Sequence, residues 1–94
     1  MQMEELKSII SDFLQKVPKG QIIDAHTIIS HLYRNHLDAY LNGYHHGENA
    51  ATYHSRISRV IDEFDKIKIS RISYESYSEN INGKPSSNAC WEKI

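Results

Sequence analysis

Two periods organise the apolar residues of this chain. Over residues 3–17, Met3, Leu6, Ile9, Ile10, Phe13, Leu14 and Val17 recur every three or four positions and so line one face of a helix. Glu4 and Glu5 stand near its N-terminus, where the helix dipole favours acids, and Lys16 falls in its last turn before Pro18 and Gly20 end it. Gln21-Ile22-Ile23 is too short for a helix and reads as a brief strand. Asp24 is a good N-cap for a second helix beginning Ala25-His26-Thr27. Its stripe runs Ala25, Ile28, Ile29, Leu32 and Tyr33, then Leu37, Tyr40, Leu41 and Tyr44. Either one helix covers 25–42 and turns at Asn42-Gly43, or it covers 25–35 and a short helix follows. The polar run Arg34-Asn35-His36 favours the break.

After a loop containing Tyr-His-His-Gly-Glu, residues 49–64 carry the stretch around which the chain is arranged. Asn49 is an N-cap, and Tyr53, Ile57, Val60, Ile61 and Phe64 form one apolar stripe, with helix expected over 50–66. The opposite face holds Thr52, Ser55, Arg59, Asp62 and Lys66, flanked by His54, Arg56 and Ser58. Small hydroxyls and arginines precede the acids along that face, as on a helix whose N-terminal half enters a DNA major groove. A solvated outer face has the same polarity, so its surroundings must decide.

Beyond Phe64 the period shortens to two. Ile67 and Ile69, then Ile72 and Tyr74, are inward positions of a strand over 67–76, and the change of parity places a β-bulge at Arg71. Residues 78–88, with Asn82-Gly83 and Lys84-Pro85, read as a turn longer than a two-residue hairpin because of Pro85. Ala89 and Trp91 face inward on a last strand over 88–94.

The order of helix, short strand, two or three more helices, strand, polar loop and strand resembles the winged helix-turn-helix superfamily over nearly the whole chain. The residues that carry the likeness are Gly20-Gln21-Ile22-Ile23-Asp24, the amphipathic helix from Ala25, the helix through Ser55 and Phe64, and the strands around Asn82-Gly83-Lys84. The resemblance implies an α+β fold of three or four helices with a small antiparallel sheet and hairpin wing, in one domain over 1–94. It also implies that the helix after Asn49 reads double-stranded DNA, with Thr52, His54, Ser55, Arg56 and Arg59 contacting bases or phosphates. Asn82 and Lys84 become wing contacts, and Lys68 and Arg71 flank the groove. The stretch over 35–49 is long for the superfamily, and Glu75 and Glu79 offset the charge of Lys84.

Ninety-four residues with 39% hydrophobic and 24% charged content make a globular chain of one modest core. The net charge of −1 argues against strong non-specific nucleic-acid binding, although residues 51–72 carry five bases against three acids. One cysteine, Cys90, rules out an internal disulfide and reads as a packed thiol beside Ala89 and Trp91. The early acids and the lack of a long apolar run fit a cytoplasmic protein without membrane attachment. His26, His31 and His36 are five apart, not on one helical face, and His45, His46 and His54 have no zinc-like spacing, so no metal or other cofactor is expected. No catalytic signature appears, so neither an enzyme nor a small-molecule substrate is expected.

Leu37, Tyr40, Leu41 and Tyr44 form a candidate self-association surface for a homodimer. The leading functional reading is a small winged-helix DNA-binding protein, a transcriptional regulator of a size that suits a phage or mobile-element gene. The other is a winged-helix protein-interaction module, an inhibitor or adaptor, which the near-neutral charge and six tyrosines favour.

Overall fold

The periodic stripes close on one another. In the computed structural model, which describes residues 3–64 and 67–94, α1 (Met3–Gln15) buries Met3, Leu6, Ile10 and Leu14. Helix α2 (Ala25–Asn35) buries Ala25, Ile28, Ile29 and Leu32, and α4 (Ala50–Asp62) buries Tyr53, Ile57 and Ile61. Between them lies a separate helix, α3 (Leu37–Asn42), which buries Ala39 and Tyr40. Each fully buried Leu or Ile contributes roughly 1.5–3 kcal/mol through removal of its apolar surface from water. The break between α2 and α3 falls at His36, whose N–H still bonds the Leu32 carbonyl while its φ of −140° leaves the helical region. Helices α1 and α4 stop short of the expected 17 and 66, at Gln15 and Asp62; Asp65 and Lys66 lie outside the described residues.

Helix α1 has no base in its last turn. The cation that serves it is Lys93, whose Nζ donates to the carbonyls of Leu14 at 2.9 Å and Val17 at 3.0 Å. A positive charge there opposes the negative end of the helix dipole and satisfies carbonyls that have no partner within the helix.

Three strands form an antiparallel sheet in the order β1-β5-β2, with β1 at Ile22–Asp24, β2 at Ile69–Arg71 and β5 at Cys90–Lys93. Strands β3 (Ser76–Glu79) and β4 (Pro85–Asn88) form a separate hairpin. The single strand expected over 67–76 is therefore divided. Arg71 is opposite Trp91 and Ser76 opposite Asn88, so four residues (72–75) face two (89–90). The excess is larger than a one-residue bulge, and it turns Tyr74 outward instead of into the core.

The hairpin tip is also tighter than a turn over 78–88. Glu79 pairs with Pro85, and Asn80 closes the loop by donating its N–H to the Lys84 carbonyl and accepting from Gly83 N–H. Gly83 takes the left-handed φ of 78° that this turn-plus-bulge connection needs. Because residues 80 and 84 form a hydrogen-bonded pair, the next pair, Glu79 and Pro85, is a non-bonded one, and proline forfeits no ladder bond there.

A polar node fastens this hairpin to the helices. The first three N–H groups of α2 find acceptors in Ala89 carbonyl (2.8 Å, from Ala25), Asn88 Oδ1 (2.8 Å, from His26) and Asp24 Oδ1 (2.9 Å, from Thr27). The other Asp24 oxygen accepts from the hydroxyls of Ser76 and Ser78, while Asn88 Nδ2 donates to the Ser76 carbonyl. The His26 ring bridges the two hairpin strands, with Nδ1 3.1 Å from the Ser78 carbonyl and Nε2 3.3 Å from Ser86 Oγ.

Tyrosines fill the space between α3 and α4. The Tyr40 and Tyr53 rings are 5.2 Å apart, Tyr44 stacks 3.9 Å from Tyr53, and the Tyr53 hydroxyl donates to the Tyr40 carbonyl. Gly43 is required here for space, since a Cβ would collide with the Tyr53 hydroxyl and the Leu6 side chain. Its φ of −77° is available to any residue. Gly43→Ala should therefore destabilise the domain by about 1–3 kcal/mol, as overpacking does, and lower the midpoint in thermal melts by several degrees.

Candidate functional site

The helix that begins after Asn49 is α4. Asn49 caps it as its residue type requires, accepting the Thr52 N–H at 2.8 Å. Burying Tyr53, Ile57 and Ile61 turns Ala51, Thr52, Ser55 and Arg59 outward, and no acid occurs on that surface before Asp62. Facing it is the β3–β4 hairpin, and between the two lies a cleft of about 590 Å³. Its helix wall includes His54, Ser55, Ser58 and Arg59, its hairpin wall includes Asn82 and Ser86, and His26 and Asn88 of the polar node lie between. The node fastens the hairpin to β1 and α2, and so holds that wall of the cleft in place.

Of the residues singled out for DNA contact, His54, Ser55, Arg59, Arg71 and Asn82 line this cleft. Thr52, Lys68 and Lys84 are exposed but do not line it. Lys68 precedes β2 at the end of the sheet away from the hairpin, where its carbonyl accepts from Ile94 N–H. Sequence reading did not count Ser58, His26 and Asn88 among the contact residues; the side chains of the latter two reach partners 52 to 62 residues away, on strands whose register no local pattern gives.

Arg56 requires a correction, because it is not a free contact residue. Its guanidinium grips Glu48 through two bonds of 2.6 and 2.7 Å and donates a third, of 2.8 Å, to the Gly43 carbonyl. The side chains of Arg56 and Glu48 keep only 15% and 6% of their surface. The pair fastens the loop before α4 to the helix and holds the Glu48 carboxyl down to about 2, chiefly through the Arg56 hydrogen bonds. Arg71 is also engaged, with Nη1 2.7 Å from Asp62 and its guanidinium over the Trp91 ring. Asp62 uses its other oxygen to accept from Trp91 Nε1 at 2.8 Å. Among the described residues, Arg59 has neither a carboxylate partner nor a side-chain hydrogen bond.

Burial, reinforced by nearby His26, lowers the His54 pKa below the ordinary imidazole value, so the ring is neutral near pH 7. It meets the Tyr40 hydroxyl at 2.6 Å. Burial in turn raises the Tyr40 pKa, with the Tyr44 hydrogen bond adding to it. Tyr40 is 2% exposed, so it leaves the self-association surface and belongs to the core instead. Tyr44 is half-buried against Tyr53, whereas Leu37 and Leu41 remain exposed. Burial pushes the Asp24 carboxyl up, but the bonds from Thr27, Ser78 and Ser76 together outweigh it and leave the group below its usual value. Among the described residues, no three His, Cys, Asp or Glu side chains are placed to hold a metal ion, and no helix is long and apolar enough to cross a membrane.

Compared with protein-family models, with curated proteins and with solved structures, the chain matches none.

The Glu48 carboxyl gives the site a pH signature. Its pKa is lower in the folded chain than its ordinary 4.5, so its contribution to stability is complete above that value and disappears as pH falls towards about 2. Chemical denaturation between pH 6 and pH 2 should show stability declining over that window. Glu48→Gln should flatten the decline and lower stability at neutral pH.

Proposed function

We propose that this chain is a winged-helix DNA-binding domain and acts as a transcriptional regulator, with α4 entering the major groove and the β3–β4 hairpin following the backbone. The observation that carries this reading is the pairing of an acid-free N-terminal face on α4 with a hairpin held across an open cleft, with Arg59 uncommitted on the helix wall. Small side chains at Ala51, Ser55 and Ser58 let a helix approach base edges closely, and an uncommitted guanidinium can pair with guanine. The strand order β1-β5-β2, extended by a hairpin between β2 and β5, suits the same fold.

The cations available to phosphates are few. Of the cations singled out for DNA contact, Arg56 is held by Glu48 and Arg71 by Asp62, so Arg59, Lys68 and Lys84 remain without a carboxylate partner among the described residues. Non-specific affinity should be weak and its salt dependence shallow, with a slope of about −3 if all three contact phosphates. The exposed Tyr74 and Tyr77, at 60% and 72% of their surface, favour a second reading in which the hairpin grips a protein partner.

Fluorescence anisotropy with random-sequence duplexes at low and moderate salt, followed by selection of a preferred sequence, separates these readings. Binding that weakens with salt supports DNA recognition; no binding at low salt and no selected sequence would overturn it. Arg59→Ala should reduce affinity about tenfold or more while leaving the thermal midpoint nearly unchanged. Arg56→Ala should do the reverse, lowering the midpoint by releasing the buried Glu48 carboxylate while affecting affinity mainly through that loss of fold.

A further inference from the structure

Asparagine is followed by glycine twice in the chain, at Asn42-Gly43 and Asn82-Gly83. Such a pair carries a reaction of its own. The glycine backbone nitrogen, once a base in the solvent has taken its proton, attacks the asparagine Cγ. A bond from that nitrogen to Cγ forms, the bond from Cγ to Nδ2 breaks, and the carboxamide nitrogen leaves as ammonia. Water then opens the resulting cyclic imide at one carbonyl or the other, leaving aspartate or isoaspartate. Each event consumes a water, releases an ammonia and adds a carboxylate. Glycine favours the attack because no side chain shields its nitrogen and its backbone turns freely.

The fold treats the two pairs differently. Both asparagines are exposed, so the glycine nitrogens decide. Gly43 is buried, its N–H donates to the carbonyls of Ala39 at 3.2 Å and Tyr40 at 3.3 Å, and its own carbonyl accepts from Arg56 at 2.8 Å. The Tyr53 hydroxyl and the Leu6 side chain close over it. Swinging this peptide onto the Asn42 carboxamide therefore requires the end of α3 to come away from α4. Gly83, by contrast, is exposed at the hairpin tip, and a Cβ there would meet nothing within 4 Å. Among the described residues a single bond restrains its N–H, to the Asn80 carbonyl at 3.0 Å. The other four asparagines, Asn35, Asn49, Asn80 and Asn88, precede residues with side chains and hold their carboxamides in hydrogen bonds.

We propose that Asn82 is a self-modifying site, which loses its carboxamide nitrogen through attack by Gly83 while Asn42 is protected, and so acquires a carboxylate at the hairpin tip. Asn82 lines the cleft, and Lys84 follows two residues on. The new charge adds to a net charge that is already −1. The isoaspartate form also lengthens the backbone inside the loop that Asn80 and Lys84 close. The effect on DNA rests on the proposed function: a carboxylate on a hairpin that follows phosphates repels them and offsets Lys84, so the chain binds more weakly as it ages. The reaction itself does not depend on that reading.

Peptide mapping by mass spectrometry tests it, on the full chain held for weeks at mildly alkaline pH with and without urea. In the folded chain position 82 should gain about 1 Da at least tenfold faster than position 42. In urea, where neither glycine is held, the two rates should converge. No gain at position 82, equal rates in the folded chain, or a difference that urea leaves unchanged overturns the proposal. For the cleft, Asn82→Asp should lower DNA affinity about threefold or more at low salt, and less at moderate salt, with the circular dichroism spectrum kept. Unchanged affinity overturns that consequence. A chain that binds no DNA in either form refutes the proposed function and not the modification, which the mass reads by itself.

Discussion

The N-terminus of α2 is the point on which the architecture depends. A helix begins with N–H groups that have no partner inside it, and leaving them buried and unpaired costs about as much as a lost hydrogen bond each. Here one is satisfied locally by Asp24, and two are satisfied by Ala89 and Asn88, more than 60 residues away. The same Asp24 and Asn88 side chains then hold Ser76 and Ser78, so a single set of acceptors joins β1, α2 and the hairpin. The helix thus fixes the hairpin as much as the hairpin completes the helix. Asparagine suits this role because one side chain accepts from the helix and donates to the strand at the same time.

Charge on the molecule is organised by sequestration. Three strong groups that look available in a linear reading, Glu48, Arg56 and Asp62, are occupied in holding loops and strands to α4. Bidentate arginine–carboxylate geometry is the arrangement in which such a pair compensates best for its loss of water. What remains on the helix face bordering the cleft is mostly small and neutral, with one uncommitted guanidinium. A surface of that kind discriminates by shape and by a few directed bonds more than by bulk attraction, which agrees with a net charge near zero.

Local signals were legible in the sequence and distant ones were not. The caps at Asp24 and Asn49 follow from residue type next to a periodic stripe, and the interruption at Arg34-Asn35-His36 marks where α2 gives way to α3. Gly20, with a φ of 86°, ends the first segment in the left-handed region that glycine favours. The partner of Arg56 lies eight residues back, across the irregular loop before α4, and no helical spacing points to it. Tyr40 looked like surface because tyrosine is ambiguous between core and interface; its hydroxyl is satisfied internally by His54, which only the packing of α3 on α4 reveals. The division of the expected long strand into β2 and β3 likewise depends on β5 remaining in register with β1, a long-range constraint.

The Lys93 ammonium beneath α1 has a consequence for how the chain acquires its structure. Residues 88–93 provide the acceptors for α2, the cation for α1 and the central strand of the sheet. Helices made early in synthesis must therefore wait, incompletely capped, until residues 88–93 have left the ribosome. Contacts separated by 62 to 79 residues carry a loop-closure cost that has to be met before they contribute any stability. The domain should accordingly fold late and as one unit, with a transition state in which the last strand is already in place between the first and the second.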